Sequence, residues 1–186
     1  IDGLTKTIAY TGDIGNPNVK NYFVGKFEPI EHADIVIGES TYGDRLHGKM
    51  QEQSENLIDI ILSTTRRGGN LIIPSFAVGR TQEILYEINK YASDEKVAEE
   101  LARIPVYVDS PLAISATEVF QENTDLFEEE IQREIQSGDN PLEFPGLKFT
   151  QTADESKALN ESQEPAIIIS ASGMCEVGRI KHHLKH

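Results

Sequence analysis

Two carboxylates stand where apolar runs meet glycine-containing turns. Ile8-Ala9-Tyr10 leads into Thr11-Gly12-Asp13, and Ile35-Val36-Ile37-Gly38 leads into Glu39-Ser40-Thr41-Tyr42-Gly43. Taking an ionised carboxyl group out of water is costly, so at the end of a buried strand it calls for a cation, a hydrogen-bond donor or a shifted pKa. A metal ion or a proton-transfer site answers that need for Asp13 and Glu39 together. Taken singly, each serves equally well as a cap on a turn or helix.

A second set of residues suits phosphate. Arg80 follows Pro74-Ser75-Phe76-Ala77-Val78-Gly79 at an expected strand-to-helix transition, where backbone N–H groups and the positive helix end attract anions. Its guanidinium fork can grip a phosphate through two hydrogen bonds, with Ser75 in the same segment. The competing role for Arg80 is an ion pair with Glu83 or Glu87 one turn on. Ser172-Gly173-Met174 follows the apolar run 166–169 at another strand end, the edge where open α/β sheets gather ligands. A ligand-free turn is its plain alternative. Ser110 follows Val106 to Val108 in the same way, although Pro111 beside it also fits a simple turn. Asp109 is assigned no role.

His182 and His186, spaced i,i+4, would share one face of a helix, a spacing that can hold zinc. With no carboxylate nearby, a solvated helix end or a phosphate-facing role is the stronger reading, and His183 fits the zinc pattern less well. His32 and His47 read as surface histidines. No G-x-S-x-G elbow marks a serine nucleophile, and no G-x-G-x-x-G fingerprint marks a dinucleotide site.

The single Cys175 excludes an internal disulfide framework and a cysteine-based zinc finger, and it fits a reducing, cytoplasmic setting. Apolar runs are strand-sized, far short of the ~20 residues of a membrane helix. The first residues lack the basic and apolar regions of a signal peptide and an initiator Met. Thirty-one acidic against seventeen basic residues give a formal charge of −14, which repels a polyanion over most of the surface. Much of that excess lies in 83–100 and 118–134, on expected helix faces, which leaves room for a local cationic or metal-neutralised cleft.

The elements that must position these groups alternate. Strand-like runs recur near 6–10, 34–38, 70–74, 105–108 and 166–170. Leu57, Ile58, Ile61 and Leu62 within 53–65 fall at helical spacing, as do Thr81, Ile84, Leu85 and Ile88 within 80–91. Gly68-Gly69 ends the first of these helices. Residues 115–136 read as one or two acidic helices, and 139–146 as a loop. Such alternation predicts an α/β fold with a mostly parallel, doubly wound sheet flanked by helices. At 186 residues the chain can hold one good-sized core, or one core and part of another, with a boundary near residue 44.

Taken in order, Y-T-G-D, E-S-T-Y-G-D, Arg67-Gly68-Gly69, P-S-F-A-V-G-R-T-Q-E (74–83), V-D-S-P-L-A (108–113) and S-A-S-G-M (170–174) resemble the β-CASP group of metallo-β-lactamase-fold nucleases, which includes the cleavage and polyadenylation endonuclease and its bacterial relatives. The likeness spans nearly the whole chain. It implies that residues 1–44 are the end of an αββα metallo-β-lactamase domain and residues 45–186 most of a β-CASP domain. It also implies that Asp13 bridges two zinc ions that activate a water against RNA phosphodiesters, and that Glu39 supports a histidine which helps protonate the leaving group. Two such ions about 3.5–4 Å apart stabilise both attacking and leaving oxygens.

The family's H-x-H-x-D-H motif and its later histidines are absent from this sequence. With at most one carried-over ligand per ion, against about three in a catalytic zinc site, the chain alone is expected to bind no zinc and to cleave nothing. Its expected partner in the full-length protein is single-stranded RNA, with no membrane and with self-association left open. Endonuclease and 5′ exonuclease modes both remain, as do two alternatives: a DNA-processing relative, and a non-catalytic α/β domain that binds a phosphosugar or nucleotide through Arg80 and the Ser172 loop.

Overall fold

Ile8–Tyr10 (β1) and Ile35–Ile37 (β2) pair in parallel, with Ile8 opposite Ile35 and Tyr10 opposite Ile37. They belong to a computed structural model that describes residues 5–13, 23, 29–45 and 50–186, with side-chain detail from residue 52 in the first helix. His47 lies outside the described residues. The pair is a small sheet of its own. The first helix, α1 (Met50–Arg66), buries Ile58, Ile61 and Leu62 on one stripe and ends in a left-handed turn at Gly68.

The remaining elements build a second sheet. In order they are β3 (Leu71–Pro74), α2 (Arg80–Ala92), α3 (Ala98–Leu101), β4 (Val106–Val108), α4 (Pro111–Glu122), a 3-10 turn (Thr124–Leu126), α5 (Glu129–Gln136), β5 (Leu147–Phe149), α6 (Ala153–Glu161), β6 (Ile167–Ser170) and α7 (Ile180–His183). The four strands are all parallel in the order β3-β6-β4-β5. The chain therefore steps outward from β3 to β4 to β5, then reverses across β4 to insert β6. Parallel crossovers are right-handed, so the reversal sends α6 to the face opposite α2 and α4. Burial agrees. Val106, Val108, Ile167 and Ile169 share one core with Leu85, Ile88, Ile114 and Ile131. The alternate residue Ile168 is buried outside that core, as are Leu159 of α6 and Ile180 of α7. Central strands buried on both faces read as unbroken apolar runs, and β6 is Ile-Ile-Ile-Ser.

The expected parallel α/β architecture with flanking helices is present, and three details differ. A short strand, β5, follows the loop expected over 139–146; with only Leu147, Lys148 and Phe149 it has no period to detect. The acidic stretch 115–136 starts earlier, because Ser110 and Pro111 open α4, and it breaks at Asn123. Helix α7 stops at His183, so His182 and His186 do not share a helical face. Phe23, from the segment before residue 44, buries in the larger core, edge-on to Phe120 and Phe127.

Candidate functional site

Thr11 ties the two strand ends that carry Asp13 and Glu39. Its N–H donates to the Ile37 carbonyl (3.0 Å), and its hydroxyl accepts from the Glu39 N–H (3.4 Å). Both carboxylates are exposed at the same end of the β1–β2 pair. Glu39 folds back to accept the Thr41 N–H at 2.8 Å, and that bond, reinforced by the Thr41 side chain, holds its carboxyl below the usual carboxylate range. Among the described residues no three His, Cys, Asp or Glu side chains converge into a metal-ligating group. Asp13 by itself offers one exposed carboxylate, against about three protein ligands in a catalytic metal site.

The loop from β3 to α2 is built around Gly79. With φ 82° and ψ −73° it centres a tight three-residue turn in which the Arg80 N–H reaches back to the Val78 carbonyl (3.2 Å). This is the rare positive-φ γ-turn that glycine adopts without a Cβ penalty. Two buried side chains bolt the loop down. Thr81 donates to the Phe76 carbonyl (2.7 Å) and lies 3.1 Å from the Ser75 hydroxyl. Gln82, fully buried, accepts the Gly79 N–H at 2.7 Å and donates to Thr117 of α4 at 2.9 Å. Ser75 is thus buried and engaged within the loop, whereas Arg80 projects into solvent with its guanidinium 2.6 Å from Glu83. Phe76 is exposed, one side of its ring against Gly173.

After β6 the chain forms a second loop, 171–178, carrying a half-buried Ser172 and Gly173 and an exposed Met174. The Ser172 hydroxyl accepts the Met174 N–H at 3.3 Å. Ser110, after β4, is buried and caps α4 by accepting the Ala113 N–H (3.3 Å), with Pro111 at the first helical position. Loops after β3 and β4 run to helices on one face, while the loop after β6 runs to α7 on the other. Open α/β sheets gather ligands at such a switch in direction, at the carboxyl edge of the sheet. Arg80, Phe76, Ser172, Gly173 and Met174 border that edge, while Ser75 and Ser110 turn inward and shape it. His32, His182 and His186 are exposed and lie outside these loops.

The sequence analysis assigned no role to Asp109, which centres a buried polar cluster. Asp109, one residue past β4, has a fully buried side chain that accepts from Thr150 (2.7 Å), Ser156 (2.6 Å) and Arg179 Nη1 (2.7 Å) and meets His183 Nε2 at 2.7 Å. His183 is also buried, its Nδ1 2.7 Å from Asn160. Burial pushes the Asp109 carboxyl up, but hydrogen bonds from His183, Ser156, Thr150 and Arg179 outweigh it and hold the group at about 2. A signal was available: Asp109 ends an apolar strand exactly as Asp13 and Glu39 do.

A parallel α/β sheet with its polar loops gathered at one carboxyl edge, beside a strand pair that delivers two carboxylates, places this protein among the α/β domains that present ligand sites at strand ends. The chain belongs to the β-CASP family, whose Beta-Casp domain matches residues 81–186. A ribonuclease of Thermus thermophilus is 37% identical over 99% of this chain and 41% of its own length. An RNase J-like protein of Methanocaldococcus jannaschii is 38% identical over the whole of this chain and 41% of its own length. The cleavage and polyadenylation specificity factor 73 of Drosophila melanogaster is 28% identical over 92% of this chain and 24% of its own length. The chain thus spans about two fifths of the first two relatives.

Proposed function

We propose that this chain is the β-CASP domain, with the rim of an adjoining metallo-β-lactamase domain, of a longer cytoplasmic ribonuclease that hydrolyses phosphodiester bonds of single-stranded RNA. The observation that carries the reading is the joint placement of Arg80 and the Ser172-Gly173-Met174 loop at one sheet edge. Arg80 supplies a solvent-facing fork for a phosphate, and Ser172 supplies a hydroxyl for the next one. Ser75 and Ser110 contribute by fixing the loops. Asp13 provides one bridging carboxylate. Divalent ions held there, zinc by the family resemblance, would supply a water nucleophile at neutral pH, with Asp13 as one of their ligands. Glu39, held ionised by the Thr41 N–H, acts as an acceptor that orients a donor toward the leaving group.

Replacing Arg80 with alanine in the full-length protein tests this. RNA binding is expected to weaken by about 1–3 kcal/mol. The slope of log affinity against log salt should flatten by roughly 0.7 for single strands. Metal content should stay unchanged. Wild-type affinity and slope in the variant, with only slightly lower stability, would reduce Arg80 to the surface partner of Glu83.

A further inference from the structure

The loop 171–178 closes on itself and hangs from one residue. Gly178, at φ +80°, brings its Cα so near the Ala171 carbonyl oxygen that a Cβ would lie 3.0 Å from it, so the two stems meet. Both stems are fastened to Asp109. On the entering side, the Ser170 hydroxyl donates to the Asp109 carbonyl oxygen at 3.0 Å. On the leaving side, Arg179 Nη1 donates to Asp109 Oδ1 at 2.7 Å. The same guanidinium also donates to the carbonyls of Thr150 (3.0 Å) and Gln151 (2.8 Å), which ties the loop to the strand end of β5.

Four side chains of this protein saturate the carboxylate, and none of it faces solvent. Asp109 therefore has no oxygen left for a ligand, a metal or a proton in transit. What it can do is hold. Charge-assisted hydrogen bonds in a dry setting are short and stiff, and losing one partner leaves a buried charge uncompensated.

We propose that Asp109 and Arg179 are positioning residues that set the 171–178 loop against the Phe76 loop and thereby set RNA affinity through Ser172. The inference rests on the reading of that loop as a phosphate contact. Lysine at 179 keeps the charge but lacks the planar fork that serves Asp109, Thr150 and Gln151 at once. Ser156 of α6 bonds the other carboxylate oxygen, Oδ2, and touches neither stem of the loop, so its loss costs stability without releasing the loop.

The test uses the full-length protein with Arg179→Lys, Ser172→Ala, the double variant and Ser156→Ala. In Arg179→Lys, amides of 172–177 should exchange with solvent about tenfold faster while those of β6 and α2 keep wild-type rates. Affinity for a single-stranded oligoribonucleotide should fall about tenfold. The double variant should lose less than the product of the two single losses, since a displaced loop has already given up Ser172. Ser156→Ala should lower the melting temperature and leave loop exchange and RNA affinity at wild-type values. Unchanged loop exchange in Arg179→Lys, or independent losses in the double variant, overturns the proposal, as does an affinity loss in Ser156→Ala matching that of Arg179→Lys. If Arg179→Lys does not fold, Ser170→Ala releases only the other stem and is held to the same outcomes. A loosened loop together with wild-type RNA binding by Ser172→Ala strikes the phosphate reading and leaves the anchoring intact.

Discussion

Asp109 is a fully buried carboxylate with four side-chain partners, and its pH dependence follows from them. The folded carboxyl titrates at about 2 against 3.8 for the free group. A depressed carboxylate stabilises the fold fully above its unfolded pKa and loses that contribution as pH falls through the folded value. The stability advantage of wild type over Asp109→Asn, from denaturant titration, should therefore shrink by about 1 kcal/mol between about pH 5 and about pH 3. A gap that is constant over that range would show that the carboxylate is not selectively ionised in the fold. Asp13 is the opposite kind of residue, exposed at the end of a strand, and the metal role proposed for it is open to a direct test. Asp13→Ala in the full-length protein should lose bound metal and nearly all turnover. Normal metal content at a normal rate would remove Asp13 from the centre.

At the scale of an element, the β3–α2 loop depends on a backbone shape as much as on side chains. Gly79 holds φ 82°, and a Cβ placed on it would meet nothing within 4 Å, so the cost of a side chain there is conformational alone. Gly79→Ala should destabilise the protein by about 1–2 kcal/mol, the penalty for an L-residue in left-handed space. Gly173→Ala is the fitting comparison. Its φ is ordinary and its Cβ would rest at 3.4–3.5 Å from the Phe76 ring, a normal contact, so thermal unfolding should change less. Equal losses at the two positions would mean that the γ-turn is not what demands glycine.

At the scale of the whole molecule, the two sheets differ in how they are covered. The central strands of the four-stranded sheet are shielded by helices, whereas the β1–β2 pair leaves Tyr10 75% and Val36 68% exposed, with Ile8, Ile35 and Ile37 also open. Parallel strands are normally covered on both faces, so this pair needs apolar surface from beyond the described residues. Amides of 8–10 and 35–37 should exchange slowly in the full-length protein and quickly in the isolated chain. Equal protection in both would show that the pair sustains itself. The charge of −14 is also a molecule-scale quantity, and an RNA contact confined to Arg80 and one loop is compatible with it because screening limits its reach to about 10 Å.

Local signals were enough for much of this. Apolar spacing located α1 and α2, and short apolar runs located five of the six described strands, because periodicity and turn residues act within a few positions. The same locality put Arg80 at a helix start and Ser172 after a strand. What only the tertiary structure decided is which polar groups meet. Inserting β6 between β3 and β4 sets Ile169 beside Val108 and so delivers Arg179 and His183 to Asp109 across 70 and 74 residues of chain. The inward turn of Ser75 and Ser110 is by contrast local, since Ser75 meets Thr81 six residues on and Ser110 accepts the Ala113 N–H three residues on, as the cap of α4. No short window of sequence encodes the meeting of Arg179 and His183 with Asp109, since strand order is settled by the burial of whole faces and by the handedness of the crossovers.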